Sequence, residues 1–236
     1  MEGPLPVAEA LASGAPLREI FVVEDSPKLG ELSSAARAAG VPVMEVTEPV
    51  LRSLADATTP QGVVAVVEIR ANDLRNLAGR ASLLLVLAGV RDPGNAGTLL
   101  RSALAAGADG VVFAADAVDP LHPKTVRASA GALFRIEVAR ERDLGEVVAV
   151  LRRSGLVVVG ADASAPGRFD NTDFTRRVAL VLGNEAWGLG PEAGGLLDEV
   201  VGIPMPGPAE SLNVGIAGSI LLFECVRQRR LSSSPS

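Results

Sequence analysis

Tyrosine is absent from the 236 residues, tryptophan and histidine occur once each (Trp187 and His122), and aromatic side chains make up only 3% of the chain. With 48% hydrophobic residues, the core must therefore be built from Ala, Val and Leu. A single cysteine, Cys225, excludes an intrachain disulfide and fits a reducing compartment. It falls in an apolar C-terminal segment, where inert packing is the expected role. One histidine excludes a His-rich metal site and argues against a Ser-His-Asp triad. There is no CxxC, no HExxH, no Walker sequence and no GxGxxG after a strand. Neither a signal peptide nor an apolar run of membrane-spanning length without charges or helix breakers is present. We therefore expect a cytoplasmic protein with no membrane and no metal partner. An excess of positive charge is also missing: 22 basic residues against 28 acidic ones give −6, which argues against holding nucleic acid by charge alone. The imbalance is local, because residues 1–70 carry ten acidic and five basic side chains, net −5, leaving −1 for the rest. Basic residues recur there at Lys124, Arg127, Arg135, Arg140 and Arg142, and again at Arg227, Arg229 and Arg230. They fit either a focused patch or scattered solvated side chains.

The patterning that is present is α/β. Over residues 6–68, helix signals (Pro6–Ser13, Leu29–Ala39, Glu48–Leu54) alternate with strand signals (Ile20–Val23, Val41–Val46, Gly62–Glu68), and Gly40 stands where a helix C-terminus needs a glycine. This gives a small α/β domain over 1–70 and, over 71–81, a polar linker that leaves room for some helix. From Ser82 the pattern restarts with Leu83–Leu87, a continuous apolar run typical of a strand buried on both faces of a parallel sheet. Further strands are expected at Val111–Phe113, Arg135–Val138, Leu156–Gly160, Val178–Leu182 and Val200–Ile203. Helices are expected at Thr98–Ala106, Pro123–Ala130 and Leu144–Ser154. A second domain thus runs over 82–230, and the LSSSPS tail, 231–236, reads as disordered.

Three loops follow strands: Arg91–Ala103 (RDPGNAGTLLRSA), Leu182–Gly190 (LGNEAWGLG) and Ile203–Ala217 (IPMPGPAESLNVGIA). Ligands in an open parallel sheet bind beyond the carboxyl ends of strands, so the three should share one rim. In the first, Asn95 sits where a helix N-cap belongs, and Gly97 and Arg101 lie i, i+4 on one helix face. The missing side chain at Gly97 would leave space before Arg101. That guanidinium, placed against the helix dipole, favours an anionic partner such as phosphate, or pairs with Glu185. Glu185 either orients Asn95 or Arg101 or is solvated on a surface turn. In the third loop three prolines forbid helix and leave backbone groups free. Ser211 then reads as the N-cap of a helix that is apolar nearly all round and rich in Gly215, Ala217, Gly218 and Ser219, hence buried. Such a stretch is either a ligand-holding loop or a plain strand–loop–helix connection.

Together, NxGxxxR at Asn95, Gly97 and Arg101, LGNE at Leu182–Glu185, and IPM…G…ESLNV at Ile203–Val214 resemble the three signature motifs of the SpoU/TrmH family. These are S-adenosylmethionine-dependent RNA ribose 2′-O-methyltransferases of the SPOUT superfamily. Asp119–Phe134 (DPLHPKTVRASAGALF) also resembles the family's sequence, and the resemblance runs over about residues 82–228. The N-terminal unit is similar to the family's substrate-binding domain, whose fold is like that of ribosomal protein L30e.

The resemblance implies a C-terminal SPOUT fold with a parallel sheet and a deep trefoil knot, an L30e-like RNA-binding domain before it, and a homodimer through the C-terminal domain. It implies S-adenosylmethionine held by Leu182, Gly183, Asn184, Ile203, Met205, Ser211, Leu212 and Asn213, largely through backbone groups. Asn95, Arg101, Glu185, Ser211 and Asn213 are cast as the residues that act on the ribose. Ribosomal RNA is favoured as substrate over tRNA. The alternatives are a tRNA 2′-O-methyltransferase and a non-catalytic RNA- or ribosome-binding protein that kept the fold.

Overall fold

A computed structural model of the chain describes residues 1–55, 57, 59–68, 72–190 and 195–232. The chain divides into two compact units, Met1–Arg70 and Ala71–Ser236.

The first unit contains α1 (Pro4–Ala12), β1 (Leu17–Val23), α2 (Gly30–Ala38), β2 (Val43–Val46), α3 (Glu48–Leu54) and β3 (Val63–Val67). Its three-stranded sheet has the order β2-β1-β3, with β1 parallel to β2 and antiparallel to β3. Val7, Ile20, Val22, Leu29, Ala36, Val63 and Ala65 make its core, all of them aliphatic. Helix α2 stops as the sequence predicts: Gly40 takes a φ of 76°, a left-handed value that spares it the Cβ penalty. The Val41 N–H then reaches back to Ala36 O at 2.9 Å.

In the second unit come α4 (Leu74–Arg80), β4 (Leu83–Ala88), α5 (Pro93–Ala105), β5 (Gly110–Ala114), α6 (Pro123–Ala128), β6 (Glu137–Arg140), α7 (Leu144–Arg153) and β7 (Val157–Ala161). They are followed by the two-residue β8 (Gly167–Arg168), then β9 (Val178–Leu182), β10 (Glu199–Gly202) and α8 (Val214–Ser232). The seven strands are parallel throughout, in the order β6-β5-β4-β9-β7-β10-β8. At the centre β4 lies between β5 and β9, with Leu85 level with both Val111 and Leu180. Every residue of β4, β5 and β9 is buried, as strands covered on both faces require.

Several expectations change here. The segment expected as a linker, 71–81, contains α4, whose Leu74, Leu77 and Ala78 belong to the core of the second unit. Arg177 ties it down by donating to Ala78 O, Gly79 O, Ala81 O and Ser154 O, so one guanidinium satisfies carbonyls left open at two helix ends. Of the tail expected as disordered, Leu231 and Ser232 are the end of α8, and 233–236 lie outside the described residues. Helix α8 is not buried all round: Gly215, Gly218, Leu221, Leu222 and Cys225 face inward, but Ile216 is 53% and Phe223 50% exposed. The small residues do serve close packing, since a Cβ at Gly218 would collide with Leu99 and Leu182. Burial pushes the Cys225 thiol up to about 12, so it is not a nucleophile. Two of the three C-terminal arginines are structural. Arg227 pairs with the buried Glu224 at 2.7 Å, and Arg229 donates to Phe174 O, Arg176 O and Ser82 O.

Candidate active site

The carboxyl ends of β4, β7, β9 and β10 open onto one cleft of about 870 Å³. Asp92 and Asn95 come from the loop after β4 and the start of α5. Leu182 to Gly188 come from β9 and its loop, and Ile203, Met205 and Ser211–Val214 from the long loop after β10. The three loops singled out in the sequence therefore do share a rim, at a point where neighbouring strands are not consecutive in the chain. Leu182, Gly183, Asn184, Ile203, Met205, Ser211, Leu212 and Asn213 all line the cleft, as do Asn95 and Glu185. Arg101 does not. It stands on the exposed side of α5 and makes no hydrogen bond or ion pair with the described residues.

A chain of side-chain hydrogen bonds crosses the cleft. Glu185 accepts from the Arg91 N–H at 3.1 Å and, through Oε1, from the Asp92 N–H at 3.0 Å and Asn95 Nδ2 at 3.1 Å. Asn95 Oδ1 accepts from Asn213 Nδ2 at 2.9 Å, and Asn213 Oδ1 accepts from the N–H groups of Gly215 (2.9 Å) and Ile216 (3.3 Å). Both amides are fixed by their neighbours. Backbone N–H groups at one end can only donate, and the carboxylate at the other can only accept, so neither Asn can flip without breaking a bond. One Nδ2 proton of Asn95 is left over. Burial pushes the Glu185 carboxyl up, but the bonds from Asp92, Asn95 and Arg91 outweigh it and hold the group below its ordinary value.

Four local readings of the sequence are corrected. Asp92, not Asn95, caps α5: its Oδ1 accepts the Asn95 N–H at 2.8 Å, so the helix begins at Pro93 and frees the Asn95 side chain. Asn213, not Ser211, caps α8, and Ser211 remains an exposed cleft-lining hydroxyl. Gly97 does not leave space for Arg101. It is buried, and a Cβ there would collide with Ala128 and Ser129, so the glycine serves the crossing of α5 and α6. Glu185 orients Asn95 and does not pair with Arg101.

The loop after β9 is self-supporting. Asn184 and Gly188 exchange two backbone hydrogen bonds at 2.8 and 2.9 Å, and Asn184 Oδ1 accepts the Ala186 N–H at 2.9 Å. Asn184 Nδ2 donates to Gly89 O at 2.9 Å, tying the loop to the end of β4. A Cβ at Gly183 would collide with the backbone of Gly188 and Leu189, so the turn closes only over glycine.

Sequence reasoning missed the wall from β7: Ala161, Asp162, Ala163 and Ser164. Asp162 Oδ1 accepts from the Ser164 N–H (2.8 Å) and hydroxyl (2.6 Å), leaving its other oxygen beside Gly188. The ADAS turn carried that signal, but only the strand order, which sets β7 between β9 and β10, brings it to the site. Trp187 and Asp92 were also missed. The walls suit a nucleoside-bearing cation: aliphatic side chains of Leu182, Ile203, Met205 and Leu212, and carboxylates of Asp92, Asp162 and Glu185. Among the described residues no group of His, Cys, Asp and Glu is arranged to hold a metal ion, and no helix is long and apolar enough to cross a membrane.

The family profile described as "SpoU rRNA Methylase family" matches residues 82–223, and that described as "RNA 2'-O ribose methyltransferase substrate binding" matches residues 1–72. The chain belongs to the SpoU methyltransferase family. It is 38% identical over 223 residues to the 23S rRNA (guanosine-2'-O-)-methyltransferase RlmB of Xanthomonas axonopodis pv. citri, covering 90% of this chain and 89% of that one. It is 42% identical over 176 residues to the 23S rRNA (uridine(2479)-2'-O)-methyltransferase of Streptomyces viridochromogenes, covering 72% and 61%. The crystal structure of the SpoU methyltransferase AviRb from Streptomyces viridochromogenes with the cofactor AdoMet superposes with a TM-score of 0.83 at 35% identity, covering 99% of this chain and 91% of that one.

Proposed function

We propose that this SpoU-family chain transfers the methyl group of S-adenosylmethionine to a ribose 2′-OH of 23S rRNA. The observation that carries this reading is the cleft with its Glu185–Asn95–Asn213 chain, built from all three family motifs at once. The cofactor would lie between the β9 loop and the β10 loop, against Leu182, Gly183, Ile203, Met205 and Leu212. When bound, it supplies a methyl group already activated by its sulfonium, so the protein need not generate an electrophile. The chain's own task is to place and polarise the 2′-OH. Orientation of this kind supplies roughly 7–11 kcal/mol. Asn95 donates its spare Nδ2 proton to the ribose, Glu185 and Asn213 hold that amide in one orientation, and Ser211 adds a hydroxyl at the cleft mouth. Arg101 acts as a cation on the adjacent phosphate or the developing alkoxide, while a phosphate oxygen or water takes the proton.

Arg101 is outside the cleft of one protomer but stands on α5, the helix whose Ser102 bonds to Ser219 of α8 at 2.7 Å. A homodimer closed over the exposed Ile216 and Phe223 of α8 would bring that side of α5 to the subunit boundary. The trefoil knot belongs to the same reading. Its support is that the loops after β9 and β10 form one cleft and that Gly218 of α8 packs back on Leu182. A cytoplasmic location belongs to the same reading, and its support is the rRNA substrate.

The test is tritiated-methyl transfer from S-adenosylmethionine onto separate rRNA and tRNA pools. Label in 23S rRNA supports the reading, label confined to tRNA moves the substrate, and no label in either returns the chain to a non-catalytic RNA-binding role. Arg101→Ala should abolish transfer with cofactor binding unchanged; activity within about tenfold of wild type, on the order of 1.4 kcal/mol, removes Arg101 from the chemistry. Phe223→Glu should shift the sedimenting species from dimer to monomer.

A further inference from the structure

Trp187 takes no part in the Glu185–Asn95–Asn213 chain. It is the chain's single tryptophan, it lines the mouth of the cleft, and it is 69% exposed, the largest exposure among the large hydrophobic side chains described. A large aromatic ring left in water beside a ligand cleft marks a contact surface rather than a packing residue. We propose that Trp187 is the stacking platform for the base of the nucleotide being methylated, an inference that rests on the RNA-directed function above.

Position argues for this occupant. Trp187 is two residues after Glu185, whose carboxylate holds Asn95. If Asn95 grips the ribose at its 2′-OH, the base hangs from the neighbouring carbon of the same sugar, within the cleft that Trp187 also lines. The cofactor has other walls: deeper in the cleft Leu182, Ile203, Met205 and Leu212 offer aliphatic faces, and the tryptophan stands at the mouth. Rigidity argues for it too. Both backbone bonds between Asn184 and Gly188, and the Ala186 N–H on Asn184, lock the turn that displays the ring, so little ordering is left for the moment of binding. The remaining aromatics do not compete at this site. None of the six phenylalanines lines the cleft, and Phe113 and Phe174 are buried. A flat ring accepts any base by its π-face, so the platform fixes the unstacked base without dictating its identity.

The experiment compares wild type, Trp187→Ala and Trp187→Phe on a 23S rRNA transcript at saturating S-adenosylmethionine. The KM for the transcript should rise about tenfold in Trp187→Ala and stay within about threefold in Trp187→Phe, which keeps a stacking ring. The cofactor KM should stay within about twofold in both. Because the chain has one tryptophan, its emission reports this position alone. Emission should be quenched when the transcript is added in the presence of S-adenosylhomocysteine, and change little with S-adenosylhomocysteine by itself. An unchanged transcript KM in Trp187→Ala overturns the platform while leaving the enzyme intact. So does a rise confined to the cofactor KM, or quenching complete with S-adenosylhomocysteine alone, since each assigns the ring to the cofactor. A wild-type protein that incorporates no methyl overturns the RNA-directed function and the platform with it.

Discussion

The loop after β9 and the loop after β10 meet in the same cleft but are held by different means. The first, Gly183 to Gly188, is cross-bonded to itself and to Gly89. In the second, Pro204 to Leu212 make no backbone hydrogen bond with the described residues. Its prolines limit it without tying it to anything, and its fixed point is Asn213 at the start of α8. The contrast suggests a division of labour. Groups that must point in one direction for chemistry hang on the bonded loop or are held by it, as Asn95 is by Glu185. On the proposed function, Met205 and Leu212, which would only surround the cofactor, sit on the loop without such bonds.

That division fails or sharpens under four changes. The largest effect is expected for Glu185→Ala, which releases Asn95 and the N–H groups of Arg91 and Asp92. Its kcat should fall about 100-fold in single-turnover methyl transfer, with the cofactor Kd near wild type. A loss that appears only in cofactor binding would put Glu185 on the wrong side of the comparison. Next is Gly183→Ala, which forces a methyl into the backbone of Gly188 and Leu189. We expect about 1–3 kcal/mol of lost stability in denaturant unfolding, from overpacking a turn with no slack. On the adjustable side, Met205→Ala and Leu212→Ala should weaken cofactor binding about tenfold by calorimetry, at little cost in Tm, because each removes apolar surface from a half-exposed loop.

The smallest effect is a titration. The Glu185 carboxyl is held below its ordinary value of 4.5, so its contribution is fully present above that pH and is lost only as pH falls through the lower, folded-state value. The side-chain amide resonances of Asn95 should therefore stay fixed from neutral pH down to about 4.5 and move only below it. Movement centred above that value would mean the carboxylate is not held by its three donors.

Much of this was legible in the sequence, and the failures have a common cause. The strand expected at Val178–Leu182 has those bounds, and the apolar run Leu83–Leu87, read as buried on both faces, is buried throughout, because an unbroken aliphatic run has no polar face to turn to water. Loops that follow strands of a parallel sheet must emerge on one edge, so the convergence of the three motifs needed no coordinates. What was not legible depended on contacts between distant segments. Asn95 and Asp92 are both good caps, and only the bond from Asn95 to Glu185 shows that the asparagine is spared for another task. Gly97 reads as open space until α6 is laid across it. Ser211 and Asn213 are equally plausible caps two residues apart. The β7 wall, with Asp162, needed the strand order itself. In polar 71–81 some helix was allowed for, but its place in the core was not, because its three buried residues, Leu74, Leu77 and Ala78, are too few to show as a period.

The most direct test of the account is the chemical position of the transferred methyl in wild type and in Asn95→Ala. Tritium-labelled 23S rRNA is hydrolysed in alkali, which cannot cut a phosphodiester next to a 2′-O-methyl group. Wild-type label should appear in an alkali-resistant dinucleotide. In Asn95→Ala that product should fall about 100-fold while the cofactor Kd stays unchanged. Label released entirely as mononucleotide, or an Asn95→Ala protein that labels the dinucleotide as fast as wild type, would contradict it.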